Sequence, residues 1–317
     1  MKFAVLLALN FVAVIVSLTV GSAGYGVESL IAVLAGKASE VEKLVILDYR
    51  LPRLLVAMLV GASLAVSGTA LQAIFRNPLA EPYILGVASG ASLGAIVAVI
   101  FGLGILSRFV IAFFTSIAVI QLVLIIGSSK RFRDQSYAIL LTGIAIASFL
   151  SGFNSLLIYL HSQSLHQVMF WLMGSFSNPI WEEIYFVIPI FVLCTSFLLL
   201  TSWNLNALLL GDEHARAVGL NVDRYRTQLI IASSLLTSSA VAMSGVIGFV
   251  GIIVPHTIRI LLGEEHSRLL PATILFSTSF MPLVDVFARL WSGEIPIGAV
   301  TAMLGGPFFI YLLWRRL

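Results

Sequence analysis

His161 and His166, and the pair Ser89-Gly90, are the residues whose types most invite a catalytic reading of this sequence. Two histidines five apart do not share a helix face, where neighbours come three or four apart, so they do not form a metal-ligating pair. The other three histidines are dispersed. A serine in Gly86-Val87-Ala88-Ser89-Gly90-Ala91-Ser92 would have to act as an intramembrane nucleophile, whereas small residues at that density let helices pack closely. There is no Gly-x-x-x-x-Gly-Lys-Ser/Thr phosphate loop and no His-Glu-x-x-His zinc helix. Bond-making chemistry and a metal site are therefore not expected of this chain. What remain are charged and polar residues at the ends of apolar runs, and their meaning depends on what the runs do.

Of 317 residues, 59% are apolar and 10% charged, against roughly 25% charged in an ordinary soluble domain. No globular interior hides that much apolar surface. Lipid must be the solvent for most of it, with backbone polar groups satisfied inside helices. At roughly 20 apolar residues per crossing, the length left after loops allows about ten spans. The single cysteine, Cys194, sits in the apolar run Phe191 to Leu200, can form no intrachain disulfide and reads as a small core residue. A net charge of +3 is too small to imply nucleic acid. Met1-Lys2, the apolar run to Val20 and Gly21-Ser22-Ala23-Gly24 also have the form of a signal peptide, but the run is long enough to span and the charge count favours keeping it.

Apolar runs bounded by Gly, Pro or charge place spans near 3 to 21, 51 to 74, 84 to 101, 109 to 127, 137 to 159, 180 to 201, 226 to 244, 247 to 262, 270 to 288 and 297 to 314. Before the eighth, Gly245, Gly248 and Gly251 leave only a tight turn, and Pro255 is expected to kink or interrupt it. An even number of spans puts both termini on one side. One set of ends holds Lys2, Arg76, Lys130, Arg131, Arg133, Arg216, Arg224, Arg226, Arg259, Arg268, Arg315 and Arg316, and the other holds Lys37, Lys43, Arg50, Arg53, Arg108 and Arg289. That 12 to 6 bias puts both termini in the cytoplasm. The fold class expected is an all-α integral membrane protein, residues 1 to 317 forming one transmembrane domain.

Two loops are long. Outside, Gly21 to Tyr49 contains Val27 to Leu34, which suits a short helix on the membrane surface. Inside, Trp203 to Arg224 contains Gly211-Asp212-Glu213-His214-Ala215-Arg216-Ala217-Val218-Gly219-Leu220, with Asp212 as a candidate N-cap and Gly219 as a helix stop. A short charged helix held there is a docking surface for a partner, or a solvated connection.

Five separated segments carry a resemblance. They are Arg50-Leu51-Pro52-Arg53; Arg76-Asn77-Pro78-Leu79-Ala80-Glu81-Pro82 followed by Leu85-Gly86 and Ser89-Gly90-Ala91; the Gly211 to Leu220 loop; Pro255-His256-Thr257-Ile258-Arg259; and Gly293-Glu294-Ile295-Pro296-Ile297-Gly298 with Thr301 and Gly305-Gly306-Pro307. Together, in order and over nearly the whole chain, they resemble the binding-protein-dependent import permeases for iron-siderophore complexes, haem and cobalamin. The resemblance implies a type II ABC importer permease fold of ten helices in the inner (plasma) membrane. It implies a homodimer with the pathway on its two-fold axis, two separate ATP-binding cassette subunits that use ATP and magnesium, and a substrate-binding protein outside. No cofactor is implied for this chain itself.

The same resemblance assigns residues. Arg50, Arg53 and Arg289 look like the arginines that meet acidic residues of the binding protein; guanidinium forks suit carboxylates, although Asp285 with Arg289 is also an i, i+4 pair. Asn77, Leu79, Gln135 and Ser136 resemble cytoplasmic gate positions. Asp212, Glu213, His214, Arg216 and Gly219 fall on the element that couples to the ATPase. The fifth span would line the pathway, with Thr142, Ser148, Ser151, Asn154 and Ser155 wetting one wall or bonding neighbouring helices. Iron chelates rank first as cargo, then cobalamin or haem, then an oxyanion such as molybdate. An ion-gradient transporter usually carries a charged site near the midplane, and these spans hold little to titrate. The Pro179-Ile180-Trp181-Glu182-Glu183 entry to the sixth span matches no signature.

Overall fold

The computed structural model describes residues 2–21, 24–129, 135–161, 165–291 and 294–316. Met1, Ser22 and Ala23 of the cleavage-like segment, Lys130, Arg131 and Arg133 of the charge count, and Gly293 of the fifth segment lie outside the described residues. Among those described there are helices and no strands: α1 (Lys2–Thr19), α2 (Val27–Leu34), α3 (Glu40–Lys43), α4 (Leu51–Ile74), α5 (Val87–Ile100), α6 (Ile105–Gly127), α7 (Gln135–Leu160), α8 (Leu165–Leu172), α9 (Trp181–Leu200), α10 (Ser202–Leu209), α11 (Asp212–Ala217), α12 (Val222–Ser244), α13 (Val250–Leu262), α14 (His266–Arg289) and α15 (Ile297–Arg316). Each of the ten expected spans contains one α-helix, and α2 coincides with the expected surface helix.

The second span starts earlier than its apolar run. Helix α3, a wider π-wound stretch over Leu44–Arg50, and α4 make one 35-residue rod, Glu40–Ile74. A capping box begins it: Glu42 N–H donates to Ser39 Oγ (3.3 Å) and Ser39 N–H to Glu42 Oε2 (2.8 Å). The rod then becomes the centre of the molecule. In α4 and α12, 83% and 72% of the spanning window is buried, against 17% in α1 and 33% in α9, so the first pair forms the core and the second lies at the periphery. Ser67 Oγ joins the central pair, donating to Ser233 O at 2.9 Å and meeting Thr237 Oγ1 at 2.8 Å.

Among the described residues, seven helices are long and apolar enough to cross a membrane; α5, α13 and the apolar part of α15 are shorter. The 14 residues of α5 reach about 21 Å, less than the roughly 30 Å of hydrocarbon. The connection before it folds back along α4: Pro82 packs on Gly251, which lies against Leu64 and Gly68, well before the end of α4. Residues 245–249 likewise run without helix before α13 begins. A connection with a single 3-10 turn over Pro82–Leu85 and a stretch without helix thus meet within the protein interior, a place where irregular backbone is tolerated because protein covers it.

Of the kink or interruption expected at Pro255, the interruption does not occur: α13 continues through it. A proline lacks the N–H that would bond the carbonyl four residues back, here Gly251. Gln72 Nε2 from α4 donates to Gly251 O instead (3.0 Å), and Gln72 Oε1 accepts from Arg259 Nη2 (3.0 Å). Two helices that approach this closely need glycine at the crossing: a Cβ on Gly68 would overlap the Gly251 carbonyl. Gly90 and Gly94 serve the same purpose against Val119 and Ile111 of α6, so the small-residue cluster around Ser89 is a packing surface.

Candidate functional site

On the side bearing Arg50 and Arg53, a buried ionic cluster ties three elements together. Arg53, 2% exposed, donates from Nε (3.0 Å) and Nη2 (2.9 Å) to Asp285 Oδ1 on α14, and from Nη1 to Glu294 Oε1 (3.0 Å) and the Tyr49 hydroxyl (3.0 Å). Arg289 reaches Ser17 O (2.9 Å) and Ser17 Oγ (3.0 Å) on α1 while its Nε lies 3.3 Å from Asp285 Oδ2. Arg50 caps the end of α1, donating from Nη1 to Leu18 O (2.7 Å) and Tyr25 O (2.6 Å). The three arginines were expected as outward-facing contacts. In this chain their guanidiniums are buried, because carboxylates and free helix-end carbonyls brought close by folding accept their hydrogens. Glu294 and Tyr49 form the exposed rim. Glu294, at φ 47°, was not singled out by sequence; an acid beside Gly293 in a turn is the signal it carried.

At the other end of α4 lies the turn of Asn77 and Leu79. Asn77 Oδ1 accepts from Leu79 N–H (2.9 Å), and Asn77 O from Ala80 N–H (3.0 Å), an Asx turn exposed at its start. Gln135 and Ser136 open α7 and are half-buried. Beyond the turn, side chains satisfy the groups freed by the break before α13. Phe249 N–H donates to Glu81 Oε1 (2.7 Å), and the Tyr83 hydroxyl donates to Ile247 O (2.8 Å) and accepts from Ile247 N–H (3.1 Å). Phe249 sits at φ 67°, and its ring closes over Gly305 of α15. Gln72, Glu81 and Tyr83 were missed as functional positions; a carboxylate between Pro78 and Pro82 in an apolar chain was the available sign for Glu81.

Between α9 and α12, the uncharged α10 packs into the core through Leu205 and Leu208 and leads into the short charged helix α11. Gly211, not Asp212, is the N-cap of α11, because the Asp212 side chain is taken by two arginines: Arg76 Nη2 donates to Oδ1 (3.1 Å) and Arg226 Nη2 to Oδ2 (2.6 Å). Gly219, at φ 88°, ends the helix as expected, with its N–H on Arg216 O (2.9 Å) and Leu220 N–H on Ala215 O (3.0 Å). Ala215 is fully buried while Glu213, His214 and Arg216 are exposed, so one face anchors and the other faces outward, with Arg216 Nη2 3.5 Å from Asp223 Oδ1.

Along α7, Ser148, Ser151 and Ser155 lie on an exposed strip, with Ser148 Oγ bonded back to Ile144 O (2.9 Å) and Ser155 Oγ to Ser151 O (2.9 Å). Thr142 is half-buried. Asn154 departs from the strip: it is buried and donates from Nδ2 to Ser89 O of α5 at 3.1 Å. Its role here is to join α7 to α5. Among the described residues no cluster of His, Cys, Asp or Glu could hold a metal ion.

The sequence profile of the FecCD transport family matches residues 8–315. The chain is 39% identical over 310 residues, 95% of its length and 91% of the relative's, to the molybdate import system permease protein MolB of Haemophilus influenzae. It is 36% identical over 277 residues, 87% of its length and 75% of the relative's, to the cobalamin import system permease protein BtuC of Halobacterium salinarum. A solved structure of an inward-facing ABC transporter assigned to the metal-chelate type superposes with a TM-score of 0.88 at 37% identity, covering 98% of this chain and 97% of that one.

Proposed function

The chain belongs to the FecCD transport family as the multi-pass membrane permease of an ABC importer, and from that premise we propose that it moves a metal chelate inward as a homodimer driven by two ATP-binding subunits. The observation that carries the reading is α11. A helix with Ala215 buried, Asp212 held by two arginines and Glu213, His214 and Arg216 exposed is a rigid charged knob, and a knob of that kind suits a cleft in a nucleotide-hydrolysing partner. The exposed serines of α7 support a wall that a second copy would complete. That wall holds no fixed charge, which suits a conduit of low affinity. Asn77, Leu79, Gln135 and Ser136, at the same end as α11, are assigned to the cytoplasmic gate.

Outside, the binding protein is proposed to dock over the Arg50, Arg53 and Arg289 cluster. Because Glu294 occupies Arg53, an incoming carboxylate reaches that guanidinium by displacing Glu294. Cargo selection is assigned mainly to the binding protein, since relatives named for molybdate and for cobalamin share this frame. An iron chelate is tested first, cobalamin or haem next, and an oxyanion after them.

Reversing charge on the exposed face of α11, as Glu213→Arg with Arg216→Glu, is expected to lower retention of the ATP-binding subunits by about tenfold or more, as interface anchors do. Co-purification from membranes containing both proteins measures it. Retention equal to the parent's would remove α11 as the coupling contact.

A further inference from the structure

The gate turn and the coupling helix are far apart in sequence, yet one ion pair joins them. Arg76, the residue directly before Asn77, places Nη2 at 3.1 Å from Asp212 Oδ1, the first residue of α11. Its guanidinium lies beside Gly211. Asp212 is in turn fixed by Arg226, a buried residue at the base of α12.

The backbone of Arg76 makes the pair unusual. Asn77 N–H bonds to Gln72 O (3.1 Å) and Arg76 N–H to Ala73 O (3.4 Å), the pattern that ends α4 with a residue in the left-handed region. Glycine normally fills that position without cost, but here an arginine holds φ 47°. The strain is tolerated where a side chain must be presented. Arg76 and Asp212 are both partly exposed, so the pair contributes little static stability, and its geometry is better suited to transmission.

The far end of the same turn is pinned. Glu81 accepts from Phe249 N–H, and Tyr83 clasps Ile247. Residues 77–80 are therefore suspended between a fixed anchor at the α12–α13 junction and an anchor on α11. We propose that Arg76 is a positioning residue that transmits displacement of α11, through Asp212, to the gate turn of Asn77 and Leu79. This rests on the gate and coupling assignments above.

The test uses the permease assembled with its ATP-binding subunits in nanodiscs, with Cys194→Ser and Leu79→Cys providing a single reporter thiol. The rate of its modification by a charged maleimide is measured with and without ATP plus vanadate, per assembled complex. With Arg76 present, nucleotide is expected to change the rate by about fivefold or more, a coupling of ordinary size. Arg76→Ala should reduce that response to less than about half of it, Arg76→Lys should restore part of it, and Asp212→Asn combined with Arg76→Ala should be no worse than either alone. A full nucleotide response in Arg76→Ala overturns the link while leaving the gate assignment intact. No response even with Arg76 present, in complexes that retain the ATP-binding subunits, overturns the gate assignment and the link together.

Discussion

Replacing Arg53 by alanine is expected to destabilise the folded permease by about 3–5 kcal/mol, the usual cost of removing one partner from a buried ion pair. The reason is what it leaves behind. Asp285 is fully buried, and its Oδ1 takes two bonds from Arg53. Arg289 stands 3.3 Å from Oδ2, but its hydrogens are directed mainly at Ser17. Without Arg53 the carboxylate keeps its desolvation cost and loses its best donors. Replacing the buried group whole with apolar residues, Arg53→Met, Asp285→Leu and Arg289→Met, should recover much of the loss, since Arg289 also faces Asp285 and only removal of all three leaves no orphaned buried charge. Thermal unfolding in detergent, followed by tryptophan fluorescence or aggregation, reads both variants. Equal stability of Arg53→Ala and parent would show that the guanidinium is not held as described.

A second large effect is expected at the crossing of α4 and α13. Overpacking a core ordinarily costs about 1–3 kcal/mol because side chains shift aside. At Gly68 the obstacle is the Gly251 carbonyl, which cannot move freely because Gln72 bonds the same oxygen. Gly251 is itself confined by Pro82 and Leu64 O. Gly68→Leu is therefore expected to abolish monodisperse protein on size exclusion, whereas Gly152→Ala, where nothing lies within 4 Å, should elute as the parent does. A well-behaved Gly68→Leu protein would mean that the two backbones do not meet there.

Local chemistry made part of this architecture readable. Ten apolar runs located ten helices, the Val27 to Leu34 segment located α2, and Gly219 stopped α11, because each signal lies within a few residues of the structure it causes. The discrepancies have distant causes. Pro255 reads as a helix breaker until Gln72, from another span, bonds the carbonyl it frees. Asp212 reads as a cap until Arg76 and Arg226 claim its oxygens. Arg53 reads as an exposed charge until folding brings Asp285 and Glu294 to it. The i, i+4 spacing of Asp285 and Arg289 was visible, but their third partner was not. Asn154 reads with the serines as pathway-lining, but only Ser148, Ser151 and Ser155 share a face by periodicity, and the structure turns Asn154 to Ser89 O of α5.

This permease is proposed to import a metal chelate under ATP drive, handed over by a binding protein. The most direct measurement is uptake of labelled iron-siderophore complex, with labelled cobalamin in parallel, into proteoliposomes holding the permease and its ATP-binding subunits. Accumulation is expected only when ATP, magnesium and the loaded binding protein are all present. Uptake that continues without the ATP-binding subunits, or that follows an imposed ion gradient instead, would contradict it.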